Sequence, residues 1–116
     1  MSKLGVAAVF TGGDGVIVWA TGDLDLATCS QLERSLSALQ MDGRPNIVLD
    51  LSEVGFIDSS GLRVLVQAHR QARLWDGCFF IRGASDQALQ LFRLTGLDDE
   101  LVIESRLGAA AERLPG

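Results

Sequence analysis

Short apolar runs alternate along the chain with longer amphipathic ones, and Gly- or Pro-bearing breaks separate them. Val6-Ala7-Ala8-Val9-Phe10 and Val16-Ile17-Val18-Trp19-Ala20 are rich in the β-branched and aromatic residues that suit strands. The intervening Thr11-Gly12-Gly13-Asp14-Gly15 predicts a hairpin with a longer loop. Over residues 25–40 the period changes. Cys29, Leu32, Leu36 and Leu39 fall at helical steps and form one stripe. Asp42-Gly43-Arg44-Pro45 stops that helix, and Asn46-Ile47-Val48-Leu49-Asp50-Leu51 has the mostly apolar pattern of a central strand covered on both faces.

A short loop is expected next, before Asp58-Ser59-Ser60-Gly61 leads into a second helix over residues 62–75. That helix is apolar on more than one face and ends at Asp76-Gly77. Cys78-Phe79-Phe80-Ile81 reads as the following strand. A third helix has Ser85 as N-cap, Asp86 in its first turn, an inward stripe of Ala88, Leu91, Phe92 and Thr95, and Gly96 at its C-terminal end. Leu101-Val102-Ile103 predicts a last strand, and residues 105–114 a last helix. The order β-β-α-β-α-β-α-β-α argues for an α/β fold. About four or five strands form a mixed sheet with helices packed on it, its parallel pairs joined by right-handed crossovers. No repeat, low-complexity tract or linker interrupts the 116 residues, so 1–116 is expected to be one domain.

Composition narrows what such a fold does. Ten Lys and Arg against fifteen Asp and Glu leave a net charge of −5. That balance suits neither a nucleic-acid backbone nor an anionic membrane surface. One histidine, His69, and two cysteines, Cys29 and Cys78, fall short of the about three or four ligands of a zinc site. No metal or cofactor is expected. With Lys3 as the one lysine, acid–base chemistry has few players, and the composition leans toward a binding or regulatory module rather than an enzyme. No signal, spanning or lipidation segment is visible, and two thiols in a domain of this size read as cytoplasmic. A Cys29–Cys78 bridge would require Cα atoms within about 7 Å. Buried inert thiols, and packing roles for Trp19 and Trp75, are the default readings.

The segment richest in chemistry is Val54-Gly55-Phe56-Ile57-Asp58-Ser59-Ser60-Gly61-Leu62. Two hydroxyls stand between a carboxylate and a glycine where a helix begins. The first amides of a helix lack internal partners and the dipole there is positive, so an oxyanion or phosphate is favoured. A plain N-cap role is open to Asp58, Ser59 or Ser60. Two adjacent hydroxyls exceed what one cap needs, and Phe56-Ile57 implies that packing pins the loop. Asp25 is a candidate cap for the first helix, whereas Asp23, at a strand end, has no such duty. His69 lies about 15 Å from Ser59 along the helix, at roughly 1.5 Å per residue, and cannot serve as its base. Ile57 also breaks the G-x-S-x-G elbow, which argues against a serine hydrolase.

Ile47 to Leu62, which reads IVLDLSEVGFIDSSGL, resembles the signature of STAS domains of the anti-sigma factor antagonist type. Upstream, Thr21-Gly22-Asp23-Leu24-Asp25 is similar to that family's G-[ED]-[LI]-D segment, and Leu91-Phe92-Arg93-Leu94-Thr95-Gly96-Leu97 to its LF..(T/S)GL element. The resemblance implies the same β β α β α β α fold and a phosphoacceptor serine directly after the Asp, here Ser59. It implies a partner that is both anti-sigma factor and serine kinase of the GHKL ATPase type, and a PP2C-type phosphatase that resets the cycle. Unphosphorylated protein would bind the anti-sigma factor and free a sigma factor for transcription; phosphorylated protein would release it. The partner face implied comprises Asp23, Asp25, Asp58, Ser59, Ser60, Gly61 and Arg63. Arg63 departs from the small residue usual at its place, and a cation one turn from Ser59 bears on partner choice. The rival implication of the same family is a stand-alone scaffold subunit of an ABC-type lipid transporter or of a stress-sensing complex.

Overall fold

The structure is a computed structural model that describes residues 3–13, 15–44 and 46–104. The elements are β1 (Gly5–Phe10), β2 (Gly15–Leu24), α1 (Cys29–Met41), β3 (Asn46–Ile57), α2 (Ser59–Leu74), β4 (Cys78–Arg82), α3 (Asp86–Thr95) and β5 (Val102–Glu104). The strands lie in the order β1-β2-β3-β4-β5 in one sheet. β1 is antiparallel to β2, and the other three pairings are parallel. The expected mixed α/β sheet is therefore present, with five strands among the described residues. The helix expected over 105–114 lies outside the described residues.

Residues two apart on a strand share a face. Val16, Val18 and Ala20 on β2, Ile47, Leu49 and Leu51 on β3, and Phe79 and Ile81 on β4 are buried in this way. Leu32 and Leu36 of α1, Leu62, Leu65 and Ala72 of α2, and Ala88 and Phe92 of α3 complete the same core. Full burial of each large apolar side chain contributes about 1.5–3 kcal/mol. On α1, Cys29 and Leu39 pack at the margin, while Gln40 is buried and donates from Nε2 to the Ala68 carbonyl at 2.9 Å. That bond ties α1 to α2 across the layer.

Three expectations change. The stretch expected to be a loop after Leu51 is strand, because β3 runs on to Ile57 and β2 runs past Ala20 to Leu24. Two register shifts, between Trp19/Thr21 and Gly22/Asp23, place extra residues in β3 and break the alternation that marks a strand in sequence. α1 begins at Cys29 rather than Asp25, since a separate turn precedes it. Thr95 is exposed rather than inward; its hydroxyl donates to the Leu91 carbonyl, and lies within reach of that of Phe92, in the last turn of α3. Gly96 does close that helix, at φ 75°, with the Leu97 N–H donating to the Phe92 carbonyl at 2.9 Å.

β4 pairs with β3 only over Asn46 to Asp50, so among the described residues the remainder of β3 has no strand on that side. At the point of departure the Asp50 carboxylate accepts from the Ser52 N–H, the Ser52 hydroxyl and Arg82 Nε, the last at 2.9 Å. The Asp50 and Arg82 side chains are only 4% and 15% exposed. Burial pushes the Asp50 carboxyl up, but the hydrogen bonds from Ser52 and the Arg82 guanidinium outweigh it and hold the group below its usual range. Arg82 also lies over the Trp19 ring, 5.9 Å from its centroid.

Candidate functional site

The parallel ends of β2 and β3 bring two of the singled-out segments side by side. Asp23 is in register with Phe56, and Leu24 with Ile57. Gly55 lies under Asp23, where a Cβ would stand 3.2 Å from Asp23 Oδ1. One residue beyond β3, the Asp58 N–H donates to the Leu24 carbonyl at 3.2 Å. Asp58 has extended backbone, φ −114° and ψ −173°, and its carboxylate accepts from the Ser60 and Gly61 amides at 2.8 and 3.1 Å. The cap of α2 is therefore Asp58. Ser60 is half-buried, and it donates its amide instead of capping.

That division of labour leaves Ser59 at the first position of α2, exposed, with its hydroxyl in no hydrogen bond among the described residues. Gly61 explains how the turn is packed so closely. A Cβ there would lie 2.6 Å from both the Leu24 carbonyl oxygen and Leu24 Cγ, and 3.0 Å from Ile57 Cγ1. Only glycine lets the first turn of α2 rest directly on the end of β2.

Asp25 serves the turn ahead of α1. Its Oδ1 accepts from the Ala27 and Thr28 amides at 3.0 and 3.2 Å. Thr28, fully buried, donates its hydroxyl to the Asp23 carbonyl at 2.7 Å and accepts from the Asp25 amide at 3.0 Å. Asp25 thus caps a turn, as its residue type suggests, but four residues before the helix proper. Asp23 is exposed. Arg63 is exposed one turn along α2 from Ser59 and belongs to neither ion pair among the described residues, Arg70–Glu100 and Arg82–Asp50. Leu26, next to Asp25 in the chain, is 76% exposed, and Phe56, in register with Asp23, is 44% exposed.

Sequence reasoning missed two residues that hold this site. Thr28 has a local signal, a hydroxyl three positions after an Asp in a turn. Gln87, in the first turn of α3, has none. Its Nε2 donates to the Ile57 carbonyl at 2.8 Å, and its Oε1 accepts from the Ile57 N–H at 3.1 Å. His69 is buried far along α2, away from Ser59. Cys29 and Cys78 are half-buried and are not bridged to each other. Among the described residues no His, Cys, Asp and Glu side chains gather as a metal site, and no helix is long and apolar enough to cross a membrane.

The family model described as the STAS domain matches residues 6–110. The chain belongs to the STAS domain family. An "Anti-sigma-B factor antagonist" of Listeria monocytogenes is 30% identical over 92 residues, which cover 79% of this chain and 81% of that protein. Among solved structures, an anti-sigma factor antagonist from Mycobacterium paratuberculosis superposes with a TM-score of 0.80 at 25% identity, over 94% of this chain and 92% of that one. The Bacillus cell fate determinant SpoIIAA in its phosphorylated form gives 0.71 at 18% identity, covering 93% of this chain and 98% of that one. The relatives are named as antagonists, not as enzymes. In this STAS domain Asp58 and Ser59 fall where β3 hands over to α2.

Proposed function

We propose that residues 1–116 form a single-domain anti-sigma factor antagonist switched by phosphorylation of Ser59. The observation that carries this reading is the exposed Ser59 hydroxyl at the head of α2, relieved of capping by the neighbouring Asp58 carboxylate. The partner is an anti-sigma factor with serine kinase activity of the GHKL ATPase type, acting in the cytoplasm and opposed by a PP2C-type phosphatase. Asp23, Asp25, Asp58, Ser59, Ser60, Gly61 and Arg63 form its contact face, with Leu26 and Phe56 adding apolar area.

The physics supports a switch of surface rather than of fold. A phosphate adds about −1.5 to −2 charge at pH 7. It would sit at a helix N-terminus, where the dipole accepts it, so the domain need not rearrange. A partner that closes over Leu26 and Phe56 would have to desolvate that charge beside Asp58. Unfavourable charge burial at an interface costs several kcal/mol, and about 1.4 kcal/mol is tenfold in affinity.

The test is to incubate the protein with its cognate GHKL-type kinase and ATP and measure intact mass. One phosphate is expected, absent in Ser59→Ala, and Ser59→Asp should lose anti-sigma factor binding. Stoichiometric phosphorylation of Ser59→Ala, or full binding by Ser59→Asp, would overturn the assignment.

A further inference from the structure

We propose that Gln87 is a positioning residue for Ser59, an inference that rests on Ser59 being the phosphoacceptor. One strand of the sheet outruns its neighbour. β4 leaves β3 after the Asp50–Arg82 pairing, yet β3 continues to Ile57. The edge of β3 on that side needs other partners for its backbone groups. At Ile57, the last residue before Asp58, the Gln87 carboxamide supplies both. Its oxygen takes the N–H at 3.1 Å and its nitrogen gives to the C=O at 2.8 Å. A primary amide has the donor and acceptor geometry of a peptide group, so Gln87 acts as one residue of a missing strand.

On the opposite side Ile57 is in register with Leu24, whose carbonyl accepts the Asp58 N–H. The backbone two residues before Ser59 is therefore gripped from both edges, by β2 and by a side chain from α3. Ser59 itself has no side-chain anchor among the described residues, so its orientation is inherited from this grip and from the Asp58 cap. In-line transfer from ATP to a hydroxyl depends on placement; a misplacement of about 1 Å can cost about a hundredfold. Gln87 touches neither the hydroxyl nor any substrate, and its effect would run through Ile57 and Asp58. Being itself exposed, it is replaceable without opening the core.

The test compares wild type with Gln87→Met, which keeps the length and apolar stem but removes both hydrogen bonds. Amide hydrogen exchange at Ile57, followed by NMR, should quicken by about tenfold or more, with the Val48–Leu51 amides unchanged. With the cognate kinase and ATP, kcat for Ser59 phosphorylation should fall by about tenfold while KM moves little. A variant with unchanged Ile57 exchange shows that the clamp does not hold the strand end, and overturns the inference. Faster exchange with unchanged kcat leaves a structural bond only, and also overturns it, while Ser59 stands as acceptor. Wild-type protein that takes no phosphate on Ser59 removes the acceptor assignment and this inference with it, whereas the exchange result still reports whether the clamp exists.

Discussion

β3 loses its β4 neighbour at Asp50 and ends at Ile57, and side chains close the exposed edge at both places. The two closures use different chemistry. At Asp50 the closure is ionic and buried: a carboxylate and an arginine pair beneath the surface, and an exposed serine completes the carboxylate's hydrogen bonds. At Ile57 it is neutral: the Gln87 amide closes that edge, the Leu24 carbonyl holds the Asp58 N–H from the opposite one, and only then does a charged cap, Asp58, appear. The difference matters for a site whose proposed signal is a charge. A guanidinium fixed at Ile57 would sit two residues from Ser59 and offset the phosphate's field. A neutral clamp fixes position and leaves the electrostatics to Asp58, Arg63 and the modification.

Breaking the ionic closure should have the largest effect on stability. Removing one member of a buried pair costs about 3–5 kcal/mol, because the other charge is left without its partner. Arg82→Met is expected to lose about 3 kcal/mol by urea unfolding at pH 7. The pH dependence follows from Asp50, whose carboxyl titrates lower in the folded protein than in the unfolded chain. Its contribution is complete above the unfolded value of about 3.9 and disappears as pH falls through the lower folded value. The gap between wild type and Arg82→Met should therefore shrink below about pH 4. A gap of constant size down to pH 2 would show that Arg82 acts through packing on Trp19 rather than through the carboxylate.

Next in size is Gly61→Ala, which strikes the neutral closure through its packing. The new Cβ meets the Leu24 carbonyl at 2.6 Å, and a backbone group cannot rotate away as a side chain can. Overpacking costs about 1–3 kcal/mol and alanine returns up to about 1 kcal/mol of helix propensity. The expected net loss is about 1–2 kcal/mol. Gly55→Ala is the matched control, since its Cβ would meet only the Asp23 carboxylate at 3.2 Å, a group free to swing outward. Denaturation curves of the two variants should separate clearly. Equal losses would mean that the β2–α2 contact is not what holds the turn.

The legible part of this molecule was local. Hydrophobic period marked every strand and helix among the described residues, and the cluster of cap-forming residues at 58–61 marked where a site begins. Choosing the cap was not local. Asp58 takes the role, and Ser59 and Ser60 do not, because the Leu24 carbonyl catches the Asp58 N–H and sets the chain direction there. The outer halves of β2 and β3 were hidden by bulges and by exposed Ser52, Glu53 and Gly55, which imitate loop composition. Gln40, Gln87 and the Asp50–Arg82 pair find partners some thirty positions away, at separations of 28, 30 and 32. No window of sequence contains both halves of such a bond.

The smallest expected effect comes from separating the cap of α2 from its charge. Asp58→Ala strands the Ser60 and Gly61 amides and should cost about 1 kcal/mol, the usual price of a lost N-cap. Asp58→Asn keeps an oxygen in the same place and ranks with Asp as a cap, so its loss should stay within about 0.5 kcal/mol. If Asn proves as costly as Ala, the favourable term is the negative charge against the helix dipole, which is worth about 0.3–1 kcal/mol near the surface. That outcome would also bear on Ser59. A helix start already neutralised by Asp58 has less to offer a phosphate, and the modification would be held more by Arg63 than by the amides of α2. If Asn is tolerated, the amides are held by geometry alone, and the variant becomes the tool for lowering the charge beside Ser59 without loosening the turn that presents it.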